Sequence, residues 1–391
     1  MNFASRTNWK LTPNQLTLKL KQAIKRGFSL INLTESNPTC CQFQYLKKAL
    51  LAPLNDSKNL CYRPSPKGLA EARAAVSAYY RKKGISVHPE QIILTASTSE
   101  AYSLIFRLIT NPGDRVLVPQ PSYPLFSFLS DLNDITADHY PIRYDAKWQI
   151  DRSSLTQQCE PKTKAIILVH PNNPTGSFVK KGEFEKIIET AQKRSIAIIS
   201  DEVFSDFAFS EDATKLKSCA ECNDALTFTL GGISKSLGLP QMKLAWMIAN
   251  GPKKVVREAL ARLEVISDTY LSTSTPIQNA LGQWFKVKES IQKEILARLN
   301  KNLAFLRGET KLSAVDLLHA EGGWYAVLRL PRIKSEEEWV LEFLEKDRVM
   351  VHPGYFFDFE NEAYIILSLL PPPEIFGEGV VRILNRVSKL S

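Results

Sequence analysis

The chain has 391 residues, of which 44% are hydrophobic and 23% are charged, and its formal net charge is +9. This balance is typical of a soluble globular protein with room for two or three core units. No apolar run approaches the roughly 18 residues of a membrane span, so no membrane partner is expected. The short basic runs fit solvated helix faces, so no nucleic-acid partner is expected.

Six cysteines are too few for a disulfide scaffold in a chain of this length, and they favour a reducing, cytoplasmic location. The first ten residues lack the apolar core of a secretory signal. Cys219 and Cys222 form a lone C-x-x-C pair with no second pair or nearby histidine. We therefore expect no metal site there.

The N-terminal residues 1–45 contain one predicted helix, over 13–25, and a turn-rich segment at 35–39. From about residue 92 onward, short apolar runs of strand length alternate with segments of helical period. The predicted strands cover 92–95, 116–118, 165–169, 196–199 and 226–230. Such alternation predicts an α/β fold with a mostly parallel sheet flanked by helices.

The C-terminal part has a different pattern: a long helix over about 276–307, a strand over 322–330, a helix over 335–346 and an apolar run at 364–370. We expect a large α/β domain over 46–275. Residues 1–45 and 276–391 are expected to form together a smaller α+β domain.

The first predicted strand is followed by Ser97, Thr98 and Ser99 at the start of a helix. Ser97 and Glu100 have the spacing of a capping box, and free amides at a helix N-terminus form a phosphate site. When this feature is considered alone, an ordinary capped helix is the favoured explanation.

The next two strands end near residues that could bind a ring. Tyr123 follows the strand at 116–118 and could stack on a heteroaromatic ring, although core or turn packing is the simpler explanation. Asn173 follows the strand at 165–169, within a proline-rich bend that directs its amide inward. We expect the neighbouring His170 to be structural.

Asp201 follows the strand at 196–199, and Lys235 lies in the turn after the strand at 226–230. A carboxylate after a fully apolar strand is costly unless a cation pairs with it. A lysine in a glycine-flanked, desolvated turn is favoured as a neutral amine, which is a nucleophile toward aldehydes. In open α/β sheets, ligands bind beyond the carboxyl ends of the strands, so the five strand ends predict one site.

Three segments carry a family resemblance: Asn172-Asn-Pro-Thr-Gly176, Asp201-Glu-Val-Phe204 and Ser234-Lys-Ser-Leu-Gly-Leu-Pro240. With these segments at these separations, the chain resembles a fold-type I pyridoxal-phosphate enzyme of the class I/II aminotransferase family over nearly its whole length. The resemblance implies that Lys235 forms a Schiff base with pyridoxal 5′-phosphate and then transfers protons. It also implies that Asp201 pairs with the pyridine nitrogen of the cofactor.

The other implied cofactor contacts surround the ring and its phosphate. They are Asn173 at the ring oxygen, Tyr123 against the ring, Phe204 and Ser234 near them, and Ser97, Thr98, Ser99 and Lys243 at the phosphate. Tyr62 resembles a tyrosine that reaches the phosphate of the neighbouring subunit, which implies a homodimer with shared active sites.

Three positions around the cofactor depart from the family's pattern. Phe204 stands where a tyrosine usually donates a hydrogen bond to the ring oxygen, so we expect a raised pKa of the Schiff base. Lys243 replaces an arginine, and Gly232 replaces a frequent phosphate-binding serine. Because an ammonium group lacks the bidentate fork of a guanidinium group, we expect weaker cofactor binding.

The family's usual arginine for the substrate α-carboxylate would fall at Ile366. Either another cation takes over this role, with Arg6, Arg63 and Lys67 as candidates, or the amino donor binds without the usual charged contact to its α-carboxylate. Asn37 is a further candidate substrate contact.

The resemblance predicts a ping-pong aminotransferase that moves an amino group from an amino acid to a 2-oxo acid. A pyridoxal-phosphate C–S β-lyase would need nearly the same residues. A non-catalytic pyridoxal-phosphate-binding regulator is an alternative of another class. A nicotinamide dehydrogenase is disfavoured because no G-x-G-x-x-G follows any of the strands.

Overall fold

A computed structural model describes residues 1–389 of the chain. The helices are α1 Gln15–Lys25, α2 Lys47–Leu51, α3 Ala70–Lys82, α4 Thr98–Ile109, α5 Leu125–Leu132, α6 Arg152–Gln158, α7 Lys181–Arg194, α8 Ile233–Ser236, α9 Lys253–Asp268, α10 Thr275–Thr310, α11 Glu336–Lys346 and α12 Pro373–Ser388. The strands are β1 Ile31–Asn32, β2 Ile92–Thr95, β3 Arg115–Gln120, β4 Thr136–Asp145, β5 Lys147–Ile150, β6 Thr163–Val169, β7 Ala197–Asp201, β8 Thr227–Gly232, β9 Ala245–Asn250, β10 Asp316–Leu317, β11 Tyr325–Arg329, β12 Val349–Met350, β13 His352–Pro353 and β14 Tyr364–Ser368.

The central sheet has eight strands in the order β2-β9-β8-β7-β6-β3-β4-β5. Strands β8, β7, β6, β3 and β4 pair in parallel, while β9 and β5 pair antiparallel with their neighbours. The expectation of an α/β fold with a mostly parallel sheet is therefore confirmed. In this sheet, β9 and the hairpin of β4 and β5 were not among the predicted strands.

Both faces of the central strands are buried, and successive residues alternate between two hydrophobic cores. Ile166 and Ile198 belong to one core, whereas Ile167 and Ile199 belong to the other. This alternation follows from the two-residue period of a strand. Since each face is covered by helices, the polar residues that end these strands can meet only at the carboxyl edge of the sheet.

A second, antiparallel sheet has the strand order β10-β11-β14-β13, and a short parallel pair joins β1 to β12. The pairing of β1 with β12 brings the N-terminal segment against the C-terminal segment. The helix predicted at 276–307 is the 36-residue α10. No helix within residues 1–389 is both long and apolar enough to cross a membrane.

Candidate active site

The carboxyl edge of the central sheet borders a cavity of about 340 Å³. Most of the residues predicted to bind a cofactor line this one cavity. They are Ser97, Thr98, Ser99, Tyr123, Asn173, Asp201, Phe204, Ser234, Lys235 and Lys243.

Lys235 lies in the short helix α8, directly after β8, because Gly232 ends the strand and the chain turns there. Its ammonium nitrogen lies 4.9 Å from the centre of the Trp324 ring and 5.4 Å from that of Phe204. Burial lowers the pKa of Lys235 from 10.5 to about 8, although the charge of Asp201 opposes this shift. A substantial fraction of the amine is therefore neutral near pH 8 and able to act as a nucleophile.

Asp201 is the last residue of β7. Burial raises the pKa of its carboxyl group from 3.8 to about 6, and this effect outweighs hydrogen bonds from the Val203 amide at 3.1 Å and the Tyr102 hydroxyl at 3.4 Å. A positive charge placed beside this carboxyl group would lower its pKa again. The site is thus suited to a cationic ring nitrogen.

Helix α4 points its N-terminus into the cavity. The Ser97 hydroxyl oxygen accepts a hydrogen bond from the Glu100 amide at 3.1 Å, as the spacing predicts. The other half of the predicted capping box does not form, because the Glu100 carboxylate accepts from the Ala96 amide at 2.6 Å instead. The amides of Thr98 and Ser99 have no acceptor within the helix, so they can bind an anion.

The bend after β6 brings Asn173 into the cavity. The peptide bonds before Pro171 and Pro174 are cis. The Asn173 side-chain oxygen is buried and has no hydrogen-bond partner within residues 1–389. A bound group with polar atoms would supply the partner that this buried amide lacks.

His170, at the start of the same bend, is structural as expected. Its ring nitrogens lie 3.1 Å from the Val179 amide and 3.0 Å from the Leu216 carbonyl oxygen. Burial lowers the pKa of His170 to about 3, so the ring stays neutral.

Three polar residues that sequence reasoning did not identify line the cavity: Ser36, Tyr102 and Tyr325. Tyr325 reaches the cavity from β11 of the second sheet, and its ring centre lies 6.4 Å from that of Phe204. Tyr102 lies on the apolar face of α4, where no local pattern distinguishes it from a core residue. The turn-rich segment at 35–39 did indicate this region, but the cavity residue is Ser36.

Asn37 is exposed and its side chain is engaged locally. Its oxygen accepts from the Thr39 amide at 3.1 Å, and its nitrogen donates to the Cys40 sulfur at 3.2 Å. The structure therefore does not bring Asn37 to the cavity.

The candidate cations for a substrate carboxylate do not line the cavity either. Arg6 forms a surface ion pair with Asp134, and Lys67 binds Glu90 at 2.7 Å. Tyr62 and Arg63 lie on an exposed segment, with 74% of Tyr62 accessible.

Ile366 is fully buried in β14, directly opposite Val327. Because Tyr325 lies two residues before Val327, Ile366 and Tyr325 are on the same face of the second sheet. The position that would carry an arginine in the family is thus apolar on the face that borders the cavity.

The C-x-x-C cysteines are both buried and unpaired. The Cys222 thiol donates to the Ala225 carbonyl at 3.9 Å, and burial raises the pKa of Cys219. Within residues 1–389, no group of three or more His, Cys, Asp or Glu side chains is arranged to hold a metal ion.

The sequence model of the family described as aminotransferase class I and II matches residues 29–369. The glutamate-pyruvate aminotransferase AlaA of Haemophilus influenzae is 27% identical over 382 residues, covering 94% of each chain. The AlaA enzyme of Escherichia coli K12 is 26% identical, over 90% of this chain and 88% of its own. An alanine aminotransferase from Pyrococcus furiosus shares the fold with a TM-score of 0.89 and 24% identity, over 99% of this chain and all of that one. The chain therefore belongs to the class I and II aminotransferases.

Proposed function

We propose that this chain, as a member of the class I and II aminotransferases, uses pyridoxal 5′-phosphate in the Lys235 cavity to move an amino group from an amino acid to a 2-oxo acid. The observation that carries this proposal is the lysine amine itself. It is partly buried, its pKa is lowered to about 8, and it shares one cavity with a partly buried carboxyl group and a helix N-terminus.

The residues present fit this cofactor. The free amides of Thr98 and Ser99 and the cation of Lys243 would hold its phosphate, with Ser97 and Ser234 beside them. Asn173 lines the cavity, where its amide nitrogen would donate a hydrogen bond to the ring oxygen of the cofactor. Bound pyridoxal phosphate supplies an aldehyde that amines attack and a ring that withdraws electrons.

The side chains of this protein supply binding and proton transfer. Asp201 would keep a proton on the ring nitrogen, and Tyr123 would cover the ring. Lys235 Nζ would take and return the proton at the substrate α-carbon, a role that typically contributes about 10² to 10⁴ in rate. Phe204 and Trp324 shield this amine on its apolar side.

We propose that the active unit is a homodimer in which Tyr62 reaches the phosphate site of the partner. The exposure of Tyr62 and of Leu60, which is 91% accessible, supports an interface at this segment. Mixing Tyr62→Ala chains with Lys235→Ala chains tests this. Each variant alone should be impaired, while hybrid dimers should regain part of the activity. No recovery on mixing, with dimers demonstrated, would refute a shared site.

The substrate carboxylate needs a cation, and Ile366 cannot provide one. Because Arg6 and Lys67 are engaged in ion pairs, we propose that Arg63 contacts the carboxylate, delivered beside Tyr62 across the dimer. Arg63→Leu should raise the KM for amino donors, whereas Arg6→Leu, the matched surface control, should not. Equal KM values for the two variants would exclude Arg63.

We also propose that residues 46–275 form the cofactor-binding domain and that 1–45 and 276–391 form the smaller domain. The confinement of the eight-stranded sheet to 92–250 and the pairing of β1 with β12 support this division. The six free cysteines support a reducing, cytoplasmic location.

A half-reaction screen tests the proposed function. Holoenzyme is mixed with glutamate, alanine, aspartate or tyrosine, and the cofactor absorbance and the 2-oxo acid released are both measured. Relatives named as glutamate-pyruvate, alanine and tyrosine aminotransferases make glutamate, alanine and tyrosine the first donors to test. Pyruvate and ammonia released from cystathionine without an acceptor would instead indicate a β-lyase. No reaction with any donor would indicate a non-catalytic binding protein.

A further inference from the structure

Gln292, in the middle of α10, connects the two loops that carry the reactive residues. It is 8% exposed. Its side-chain nitrogen donates to the Ser236 carbonyl oxygen at 2.8 Å and to the Asp206 carboxylate at 2.9 Å. Ser236 directly follows Lys235, and Asp206 lies five residues after Asp201. One amide group therefore spans the turn after β8 and the loop after β7.

The orientation of this amide is fixed by charged neighbours. The Lys288 ammonium donates to the Gln292 side-chain oxygen at 3.1 Å, which turns the amide nitrogen toward its two acceptors. Asp206 is held in turn by Lys83 at 3.0 Å and by the Tyr79 hydroxyl at 2.7 Å. An ionised acceptor at Asp206 strengthens the bond that it receives from Gln292.

Within residues 1–389, the other hydrogen bonds of the turn at 231–239 do not reach the loop at 202–207, and the backbone link between β7 and β8 ends where the Glu202 amide donates to the Leu230 carbonyl at 2.9 Å. The Ser236 hydroxyl donates to the Gly232 carbonyl within the turn, at 2.8 Å. The Tyr45 hydroxyl donates to the Gly238 carbonyl at 2.6 Å and ties the turn to the N-terminal segment. The contact through Gln292 is thus suited to set the distance between the amine and the carboxyl group.

We infer that Gln292 is a positioning residue, which holds Lys235 in register with Asp201 and Phe204 through its bonds to Ser236 and Asp206. This inference rests on the proposed function, because it assigns Gln292 a part in the same reaction. Gln292 is not among the residues that line the cavity, so it would act through the two loops.

Gln292→Met tests the inference, because methionine fills a similar volume and cannot donate a hydrogen bond. The first readout is the pH midpoint of reductive methylation of Lys235 in the cofactor-free protein, measured by peptide mass spectrometry. The groups that face the Lys235 amine are Asp201, the rings of Phe204 and Trp324, and, along the cavity, Tyr325 and Lys243. Since burial is the main cause of its lowered pKa, a looser turn that admits water should raise the midpoint by roughly one unit.

Gln278 offers a matched control on the same helix. It is also buried, accepts from the Leu69 amide at 2.7 Å and donates to the Thr273 carbonyl at 3.1 Å, away from both loops. Gln278→Met should lower the thermal midpoint comparably and leave the Lys235 midpoint unchanged. Gln292→Asn keeps the amide but is too short to reach both acceptors, so it should shift the Lys235 midpoint even if Gln292→Met fails to fold.

The second readout is the pH midpoint of the cofactor absorbance in holoenzyme, which should shift for the Gln292 variants alone. Unchanged midpoints in folded Gln292 variants, or equal shifts in the Gln278 control, would overturn the inference. If the wild-type protein does not bind pyridoxal phosphate at all, the proposed function fails. The methylation readout still reports on the position of Lys235 in that case.

Discussion

Asp201, at the end of β7, and Asp206, in the loop that follows, each belong to a partly buried lysine–aspartate pair, and the pKa shifts of the two pairs are opposite in sign. In the first pair, the Lys83 ammonium lies 3.0 Å from the Asp206 carboxylate. Burial alone would lower the pKa of Lys83 and raise that of Asp206, but their mutual attraction together with hydrogen bonds and other nearby charges outweighs it, so the pKa of Lys83 is raised and that of Asp206 is lowered. Hydrogen bonds from Tyr79 and Gln292 complete this charged pair.

In the second pair, burial prevails. The pKa of Lys235 falls to about 8 and that of Asp201 rises to about 6. Within residues 1–389 these two side chains form no ion pair. The Asp201 carboxyl group accepts one hydrogen bond from the Val203 amide and a long one from the Tyr102 hydroxyl. The comparison indicates that the supply of partners, more than burial, separates a structural pair from a reactive one.

The largest expected effect is on catalysis. Lys235→Met should lower the rate of the half-reaction by at least about 10² to 10⁴, because the proton-transfer group and the covalent attachment point are both lost. Stopped-flow measurement of the cofactor absorbance reports this rate. The exposed Lys253 of α9 is the control, and Lys253→Met should behave as wild type. Turnover by Lys235→Met within tenfold of wild type would contradict the assignment.

The second largest effect is expected on the stability of the cofactor-free protein, where replacing Lys83 and replacing Lys235 should have different effects. Lys83→Met leaves Asp206 as an uncompensated buried charge and should cost about 3 to 5 kcal/mol in the free energy of unfolding. Lys235→Met should be neutral or stabilising at pH 7, where wild type must keep a charged amine in a site that disfavours it. Urea titrations measure both effects.

The sign of the Lys235 effect also depends on pH. The folded-state pKa is lowered, so the charged amine destabilises the folded protein below about pH 8, and this penalty vanishes as pH rises toward the ordinary value of 10.5. The advantage of Lys235→Met over wild type should therefore shrink between these two pH values. An advantage that grows with pH would contradict the comparison.

Asp201→Asn tests whether the charge of Asp201 acts on the Lys235 amine. The carboxylate charge raises the pKa of Lys235 against the effect of burial, so its removal should bring this pKa below about 8. The pH midpoint of reductive methylation at Lys235 measures the change. Asp134→Asn, on the surface, should leave the midpoint in place. A rise on removing Asp201 would mean that its charge does not act on the amine.

Lys243 is a cavity cation that forms no ion pair with any residue in 1–389, so its charge is available to a ligand. Lys243→Arg should tighten the binding of pyridoxal phosphate by up to about tenfold, because a guanidinium group can bind phosphate through two hydrogen bonds. Equilibrium dialysis against the cofactor measures the dissociation constant. Weaker binding by the arginine variant would argue against a phosphate contact at this position.

The smallest expected effect concerns Phe204, whose ring covers the Lys235 amine. Phe204→Tyr should lower the pH midpoint of the cofactor absorbance by less than about one unit, since a phenolic donor near the ring oxygen favours its charged form. Phe207 also packs against Trp324, with ring centres 5.2 Å apart, and does not line the cavity. Phe207→Tyr should leave the midpoint unchanged, and equal midpoints for Phe204→Tyr and wild type would discard the prediction.

The strand ends were predictable because each is a local pattern: an apolar run of strand length followed by a polar residue. Asp201 and Lys235 were found in this way, and the topology of a parallel sheet then implied that they meet. The hairpin of β4 and β5 was not predicted because its residues are mostly exposed or half-buried and show no clear alternation of apolar and polar side chains.

Tyr102, Tyr325 and Gln292 could not be found from the sequence, because each acts through tertiary contacts. Tyr102 and Gln292 lie on helices whose periodicity indicates only a buried face. Tyr325 comes from a different sheet, and nothing near it in the sequence points to the Lys235 cavity. Local sequence patterns thus predicted the reactive residues. The residues that contact and position them could be identified only from the tertiary structure.

The amine that binds the cofactor can be identified directly. Purified protein is incubated with pyridoxal 5′-phosphate, reduced with borohydride and mapped by peptide mass spectrometry. We predict a single pyridoxyl group on Lys235, and none on the charged Lys83. Attachment at another lysine, or none at all, would contradict the account.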